Sequence, residues 1–327
     1  MKPYFQSCLT AVTASVLLAG GIALADTFNA ASPAHVDPIT LKHGEILDVG
    51  TGKLVNGNDV KEHASAARVI YVADPHDNPE AHAVQLKIIR ALNEKFPGKI
   101  AVGTEMFRRD SQPQLDDWLA DKLSEKEFKN LYCRNWGDWY SGHEPTFNYI
   151  KENSIPLIAL NATMVTKRAA LKGKTHDDDP SIPVLDLADE NHKKYNMEIY
   201  NQSFAGDSAH NPNPALYYRM MTFWDEAMAQ SVADFLDNPA NDDKKLVVIA
   251  GEGHVIYGFG IPARAAKRHP HDYTIVIPNA YDGTEATETP LTAAAKVAKI
   301  PLPPADYTWK IPNVQVPYGQ CRKPSAP

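Results

Sequence analysis

The stretch from Arg68 to His82, RVIYVADPHDNPEAH, constrains the fold of this chain more than any other. Val69 to Val72 is a short β-branched and aromatic run that stops at a turn cluster, which is typical of a fully buried strand. Asn78-Pro79-Glu80 then supplies a helix N-cap, a first-turn proline and a first-turn carboxylate. Apolar residues follow at spacings of three and four: Ala81, Val84, Ile88, Leu92 and Phe96. The stretch therefore predicts a strand, a loop that carries His76, and a helix.

Similar apolar runs recur along the chain and alternate with helical periods. They predict further strands at Lys99 to Gly103, Ile155 to Leu160, Lys245 to Ala250 and Tyr273 to Ile277. Strands that alternate with helices imply right-handed crossovers between parallel strands. The sequence therefore predicts an α/β fold with a mainly parallel central sheet and helices on both faces. Before these strands, Glu45 to Val49 and Lys53 to Val55 flank a glycine-rich turn and predict a hairpin.

Composition divides the chain into four segments. Residues 1 to 25 have the form of a cleaved signal peptide, with Lys2, an apolar run from Leu9 to Leu24 and small residues at the cleavage site. A membrane anchor is the alternative, but polar residues interrupt the run, which is shorter than the ~20 residues needed to span. A flexible leader follows at 26 to 39, the α/β domain at 40 to 288 and a proline-rich strap at 289 to 327. Within the domain, the composition at about 164 to 245 predicts a helical insert.

Charge and cysteine content narrow the class of protein. The formal net charge of −7 becomes −7 − 1 = −8 when residues 1 to 25, with Lys2, are removed. The sequence contains no basic run, which argues against binding to nucleic acid. Cys8 precedes the apolar run, so no lipidation site is evident and a periplasmic or secreted protein is expected. Cys133 and Cys321 form a candidate disulfide, for which two separate thiols are the alternative.

Polar residues with the chemistry of a site stand at the ends of several predicted strands. The candidates are His76, Glu105, His254, Asn161, Asp74 and Asp77. The carboxyl ends of parallel strands face one edge of the sheet, so these side chains are expected to border one cleft. The imidazoles of His76 and His254 and the carboxylate of Glu105 form a ligand set that suits zinc or iron. Helix caps and loop ties are the alternative role for such residues.

Five motifs together resemble those of the ChaN-like haem-binding lipoproteins. They are Tyr71 to Asn78 (YVADPHDN), Gly103 to Phe107 (GTEMF), Leu157 to Ala162 (LIALNA), Trp224 to Ala229 (WDEAMA) and Gly251 to Pro262 (GEGHVIYGFGIP). The similarity covers most of residues 40 to 270. The family is similar in turn to the Tiki, TraB and erythromycin-esterase-like group. This chain has Ala73-Asp74 where the family has glycine-glutamate, and it lacks the lipidated cysteine, so outer-membrane anchoring does not carry over.

The resemblance implies haem binding in iron acquisition, by a homodimer that encloses a facing pair of haems. It also implies a tyrosine on each iron, and it favours outer-membrane haem or iron uptake components as partners. An iron-bound tyrosine is a phenolate, which favours tyrosines near cationic side chains such as Arg219. The candidate ligands are Tyr217, Tyr218, Tyr257 and Tyr195. The competing hypothesis is a hydrolase that uses a divalent metal or an acid–base pair in the cleft of His76, Glu105 and His254.

Overall fold

A computed structural model describes residues 41–204, 213–280, 300, 302–317 and 321. The predicted signal peptide (1 to 25) and leader (26 to 39) lie outside these residues. The described part forms an eight-stranded sheet in the order β2-β1-β8-β7-β3-β6-β4-β5. The strands are β1 (Ile46–Asp48), β2 (Lys53–Val55), β3 (Val69–Asp74), β4 (Ile100–Arg108), β5 (Leu157–Asn161), β6 (Lys245–Gly251), β7 (Tyr273–Asn279) and β8 (Tyr307–Lys310).

The sheet is mainly parallel, which confirms the predicted α/β fold. All neighbours from β8 to β5 pair in parallel, whereas β1 pairs antiparallel with both β2 and β8. The hairpin expected before the first parallel strand is formed by β1 and β2.

Helices pack on both faces of this sheet. They are α1 (Gly57–Ala66), α2 (Pro79–Lys95), α3 (Gln112–Leu119), α4 (Glu125–Asn135), α5 (Tyr140–Glu152), α6 (Met164–Leu171), α7 (Glu190–Ser203), α8 (Pro214–Asp237), α9 (Glu252–Val255) and α10 (Ile261–Arg268). The region predicted as a helical insert contains α6, α7 and α8. Within the described ranges, no helix combines the length and apolar character that a membrane crossing requires.

Strand β3 lies at the centre of the fold, between β6 and β7, and every residue in it is buried. Ile70 and Val72 contribute to the apolar cluster that includes residues of α2 and α5. Tyr71 and Ala73 contribute to the opposite cluster, with residues of α8 and α10. Burial on both faces explains why this strand is a continuous apolar run and not an alternating one.

Two elements differ from the sequence predictions. The strand expected at Lys99 to Gly103 continues to Arg108, so Glu105 lies within β4 and not after its end. The proline-rich strap has no strand period in its sequence before Val314, but Tyr307–Lys310 forms β8 between β1 and β7. Strand β8 is short, and it forms hydrogen bonds with both β1 and β7. The local sequence gives no signal for this pairing.

The last part of the chain crosses the carboxyl end of β3. The amide of Val316 donates to the carbonyl of Asp77 at 2.6 Å, and the side chain of Asn78 donates to the carbonyl of Pro312 at 3.0 Å. The predicted disulfide is confirmed, since Cys133 in α4 is bonded to Cys321. Residues 311–317 and 321, called the tail segment below, therefore lie over the loop that carries His76.

Candidate functional site

His76, Glu105 and His254 come together beside Gly251, at the carboxyl ends of β3, β4 and β6. The amide of Gly251 donates to Glu105 Oε2 at 2.6 Å, and His254 Nε2 lies 3.5 Å from Glu105 Oε1. A Cβ added at Gly251 would lie 3.2 Å from His76 Nε2 and 3.3 Å from Glu105 Oε2. Glycine at this position thus leaves room for the side chains of His76 and Glu105.

His254 is held between two carboxylates. Its Nδ1 lies 2.6 Å from Asp225 Oδ1, and its Nε2 faces Glu105. Burial alone would lower the pKa of His254, but the charges of Glu105 and Asp225 outweigh burial and raise this pKa to about 9. The imidazolium therefore predominates at neutral pH. In that state His254 can donate a proton, and a metal ion would first have to displace that proton.

A series of charged side chains links His254, through Asp225, to residues of the insert. His192 Nε2 lies 2.9 Å from Asp225 Oδ2, and Arg264 donates to His192 Nδ1 at 3.0 Å. The arginine can only donate, so His192 carries its proton on Nε2, toward Asp225. Burial would raise the pKa of Asp225, but His254 and His192 lower it to about 2. The insert thus supplies the groups that hold His254 in place.

Asp74 forms the centre of a second buried cluster, on the other side of the cleft. His76 Nδ1 lies 2.8 Å from its Oδ2, and Gln85 donates to its Oδ1 at 2.7 Å. His82 Nε2 lies 3.2 Å and His143 Nε2 3.3 Å from its two oxygens. Burial would raise the pKa of Asp74, but His143, His76 and His82 hold it well below the usual range. Asp74 is therefore a carboxylate, and it fixes the ring of His76.

Asn161 and Asp77 make contacts that tie loops together. Asn161 donates from its side chain to the backbone carbonyl of Glu105 at 3.1 Å, and its Oδ1 accepts from the amide of Ala162. The carbonyl of Asp77 accepts from the tail segment, as described above. These contacts correspond to the loop-tie role named as the alternative for polar residues at strand ends.

The four candidate tyrosines lie in different environments. Tyr195 is fully buried, and Tyr218 is 5% exposed, with its hydroxyl 3.4 Å from the carbonyl of Asp189. Tyr217 is partly exposed. Tyr257 is also partly exposed, and it has a left-handed φ of 59°.

The expected cationic neighbour does not act on these tyrosines. Arg219 donates to the carbonyl of Lys174 at 2.6 Å instead. Burial raises the pKa of Tyr217, Tyr218 and Tyr195, and it raises the pKa of Tyr257 to about 12. Burial is the largest cause of the raised pKa in all four phenols, and the choice of iron ligand among them stays a prediction.

Several residues of the two clusters were not predicted as site residues. Asp225 lies in the motif Trp224 to Ala229, which gave a signal for its importance but not for its contact with His254. His82 follows the histidine loop in α2, where its inward direction could have been inferred from helical spacing. His143 and His192 belong to distant helices, and only the fold brings them to Asp74 and Asp225.

A cavity of about 850 Å³ lies among α6, α8 and α10, with Arg264, Lys267 and Arg268 in its wall. None of the predicted site residues borders it. Glu226 binds both arginines, and Lys267 lies 2.9 Å from Asp186. The positive charges of Arg264, Lys267 and Arg268 are thus paired with carboxylates of the protein. The cavity is separate from the cleft.

Comparisons with known proteins agree with this architecture. Residues 60–265 match a family described as haem-binding uptake, Tiki superfamily, ChaN. The structure of ChaN from Campylobacter jejuni with cofacially bound haem is 20% identical and aligns with a TM-score of 0.62, over 81% of this chain and 95% of that one. At this identity, the structural likeness supports the shared fold.

Two further relatives are more distant. The chloroplastic protein RETICULATA-RELATED 5 of Arabidopsis thaliana is 24% identical over 261 residues, which cover 72% of this chain and 33% of the relative. The match thus spans about a third of that protein's length. An erythromycin esterase in an open conformation is 14% identical and aligns with a TM-score of 0.42, over 69% of this chain and 73% of the esterase. At that level of similarity no function can be inferred.

Proposed function

Since the chain belongs to the ChaN family of haem-binding uptake proteins in the Tiki superfamily, we propose that it binds haem through a tyrosine of its helical insert. The observation that carries this proposal is the family match over residues 60–265. We further propose a role in haem or iron acquisition in the periplasm or outside the cell. A homodimer that encloses two haems, with outer-membrane uptake components as its partners, belongs to the same proposal.

Differences in access favour Tyr217 as the ligand. Tyr195 is fully buried and Tyr218 is 5% exposed, so neither phenol can reach a porphyrin iron without repacking. Tyr217 packs against Tyr200 and Phe204, with ring centroids 5.3 and 6.1 Å away. These three residues, called the aromatic patch below, are all partly exposed. Such a patch offers an apolar surface on which a flat porphyrin can stack.

The ionisation of Tyr217 gives the proposal a pH dependence. Bound haem would supply a ferric iron that acts as a Lewis acid. The phenol of Tyr217 would have to lose its proton to hold the iron, and burial raises the pKa of this phenol. Binding therefore releases a proton, because a metal ligand must be deprotonated. We expect affinity for haemin to rise by up to about tenfold per pH unit below the phenol pKa.

Haemin titration of the wild type, Tyr217→Phe and Tyr218→Phe tests the proposal. The two tyrosines are adjacent and chemically identical, so the Tyr218 variant is a matched control. We expect the wild type and Tyr218→Phe to show a Soret shift and the charge-transfer band of ferric tyrosinate haem, and Tyr217→Phe to lose the band. No Soret shift in the wild type would reject haem binding. Loss of the band in Tyr257→Phe alone would move the ligand to Tyr257.

The cleft supports a second candidate function, which is acid–base hydrolysis. The observation that favours it is the pairing of His254, whose pKa is about 9, with the carboxylate of Glu105. The imidazolium can protonate a leaving group, and the carboxylate can accept a proton from water. His254→Gln and Glu105→Gln should each abolish hydrolysis of ester substrates. Activity that disappears with a chelator would indicate a metal mechanism, and inactivity of the wild type would reject the hydrolase.

A further inference from the structure

The second buried cluster has the spacing of a metal site. Asp74, His82 and His143 are 2%, 2% and 1% exposed. Each offers one ligand atom, and these three atoms lie within 4.8 Å of one another. Across the described residues, no other group of three histidine, cysteine, aspartate or glutamate side chains meets this spacing. The cluster adjoins the cleft through the contact of Asp74 with His76, but it does not include His76, Glu105 or His254.

The ring of His82 supplies an independent observation. Neither of its nitrogens forms a hydrogen bond with a described residue, although Nε2 lies 3.2 Å from Asp74 Oδ1. Native proteins rarely keep a buried polar group without a hydrogen-bond partner unless a water, an ion or a function accounts for it. His82 Nε2 faces the Asp74 carboxylate at an ion-pair distance without hydrogen-bond geometry, and a cation bound by both groups would satisfy this arrangement.

We propose that Asp74, His82 and His143 bind a divalent transition-metal ion of the zinc class. Two imidazoles and a carboxylate are ligands that zinc accepts in proteins. Bonds of ~2.0–2.1 Å at tetrahedral angles place two ligand atoms roughly 3.3 Å apart. Asp74 Oδ1 lies 3.2 Å from His82 Nε2 and 3.4 Å from His143 Nε2. The ion joins β3, α2 and α5.

The two histidine rings are already arranged around one end of the carboxylate. Their centroids lie 3.8 Å apart, and the ring planes are tilted by 31°. The two rings are therefore close enough for their Nε2 atoms to share one ion with Asp74.

Neighbouring groups orient the ligands. Gln85 donates to Asp74 Oδ1 at 2.7 Å, which fixes the carboxylate. His143 Nδ1 lies 3.4 Å from the carbonyl of Trp139 and 3.2 Å from the hydroxyl of Tyr132. A metal-bound histidine normally donates its other N–H to such an acceptor, which leaves Nε2 free to bind the ion. Asp74 and His143 thus have the outer hydrogen bonds that orient the ligands of metal sites.

The tail segment covers this cluster. A Cβ added at Gly142 would lie 2.4 Å from His82 Nδ1 and 3.1 Å from Val316 Cγ2. Val316 is held by its bond to Asp77, and the segment is joined to α4 by the disulfide. We therefore expect exchange of the ion to be slow until the tail segment is released.

Metal analysis of the full chain tests the proposal. The wild type is refolded with Zn²⁺, dialysed and analysed for bound metal, and Co²⁺ is used in parallel because its visible spectrum reports tetrahedral coordination. We expect one ion per chain in the wild type and binding at least roughly 100-fold weaker in His82→Ala and His143→Gln. His254→Ala is the matched control, a buried histidine of the cleft, and it should keep the ion.

The possible outcomes separate three cases. Loss of the ion in His254→Ala and His76→Ala, with retention in His82→Ala, would place the metal in the cleft and overturn the proposal. A wild type that binds no Zn²⁺ and shows no Zn²⁺-dependent rise in Tm would overturn it even where a variant fails to fold. Haemin titration of His82→Ala is independent of both results, because the aromatic patch does not include the cluster.

Discussion

Asp74 and Asp225 flank the cleft from opposite sides, and both are buried among histidines in different surroundings. Asp225 lies between His254 and His192, and the guanidinium of Arg264 contacts His192 from behind. Asp74 contacts three histidines and the neutral amide of Gln85. A permanent positive charge thus stands behind one carboxylate, whereas the contacts of the other are an amide and titratable rings.

This difference bears on how each region balances a buried negative charge. Around Asp225, the positive charges of the His254 imidazolium and the Arg264 guanidinium balance the carboxylate, and no metal ion is needed. Around Asp74, the contacts with described residues are imidazoles and a neutral amide and include no guanidinium, so a further cation can balance the buried carboxylate. The Asp225 side should therefore respond to pH, and the Asp74 side should respond to metal.

Removal of the disulfide should have the largest effect on stability, and it should destabilise the Asp74 side more than the Asp225 side. The bond closes 188 residues, for which the loop-entropy model gives about 4–5 kcal/mol of stability. The tail segment that it anchors lies over the Asp74 side. We therefore expect Cys133→Ser with Cys321→Ser to lower the free energy of unfolding and to expose α5 before α8. Urea unfolding measures the loss, and hydrogen exchange locates it. Equal loss of protection in both helices would contradict the expected order.

Neutralising each carboxylate should have unequal effects. Asp225→Asn leaves the buried imidazolium of His254 with Glu105 alone, 3.5 Å away, and breaking a buried ion pair costs about 3–5 kcal/mol. Asp74→Asn leaves groups that can be neutral, so a smaller cost of about 1–3 kcal/mol is expected. Urea unfolding at pH 7 in the presence of a chelator compares the two variants. A larger loss in Asp74→Asn would show that its histidines are charged and would reverse the comparison.

The pH dependence of stability should follow His254. Its folded-state pKa of about 9 lies above the usual 6.5, so its contribution is complete below about 6.5 and is lost as pH rises through about 9. The pKa of Asp225 is lowered to about 2, so its contribution is lost only as pH falls below its usual 3.8. We expect the wild type to lose on the order of 2–3 kcal/mol between pH 6.5 and 9. His254→Gln should lack this slope, and an unchanged slope would assign it to another group.

The sequence predicted the parts of this architecture that rest on local signals. Continuous apolar runs identified β3 and its parallel neighbours, and Asn78 caps α2 as its position before Pro79 indicated. The approach of His76, Glu105 and His254 followed from strand ends and sheet polarity. Each of these inferences needs only a few consecutive residues and a general rule.

The remaining features depend on contacts between distant segments. Tyr307–Lys310 forms a strand because β1 and β7 offer it two edges. His143 reaches Asp74 only because α5 packs against α2, and His192 reaches Asp225 only through the insert. The raised pKa of the candidate tyrosines comes from desolvation in the folded state, which cannot be read from neighbouring residues in sequence. Pairing of Cys133 with Cys321 was predicted from composition, but its place over the Asp74 side was not.

The smallest expected effect comes from Gly142→Ala, which acts on the Asp74 side alone. Alanine favours a helix over glycine by ~1 kcal/mol, so the change would stabilise α5 if space allowed. The added Cβ would lie 2.4 Å from His82 Nδ1, so the ring must move, and such overpacking costs about 1–3 kcal/mol. We expect a net loss of about 1–2 kcal/mol together with weaker Zn²⁺ binding. Gly57→Ala is the control, because its Cβ would meet Trp309 at an ordinary 3.7 Å. A stabilised Gly142→Ala that still binds Zn²⁺ would show that His82 can turn away freely and is not a ligand.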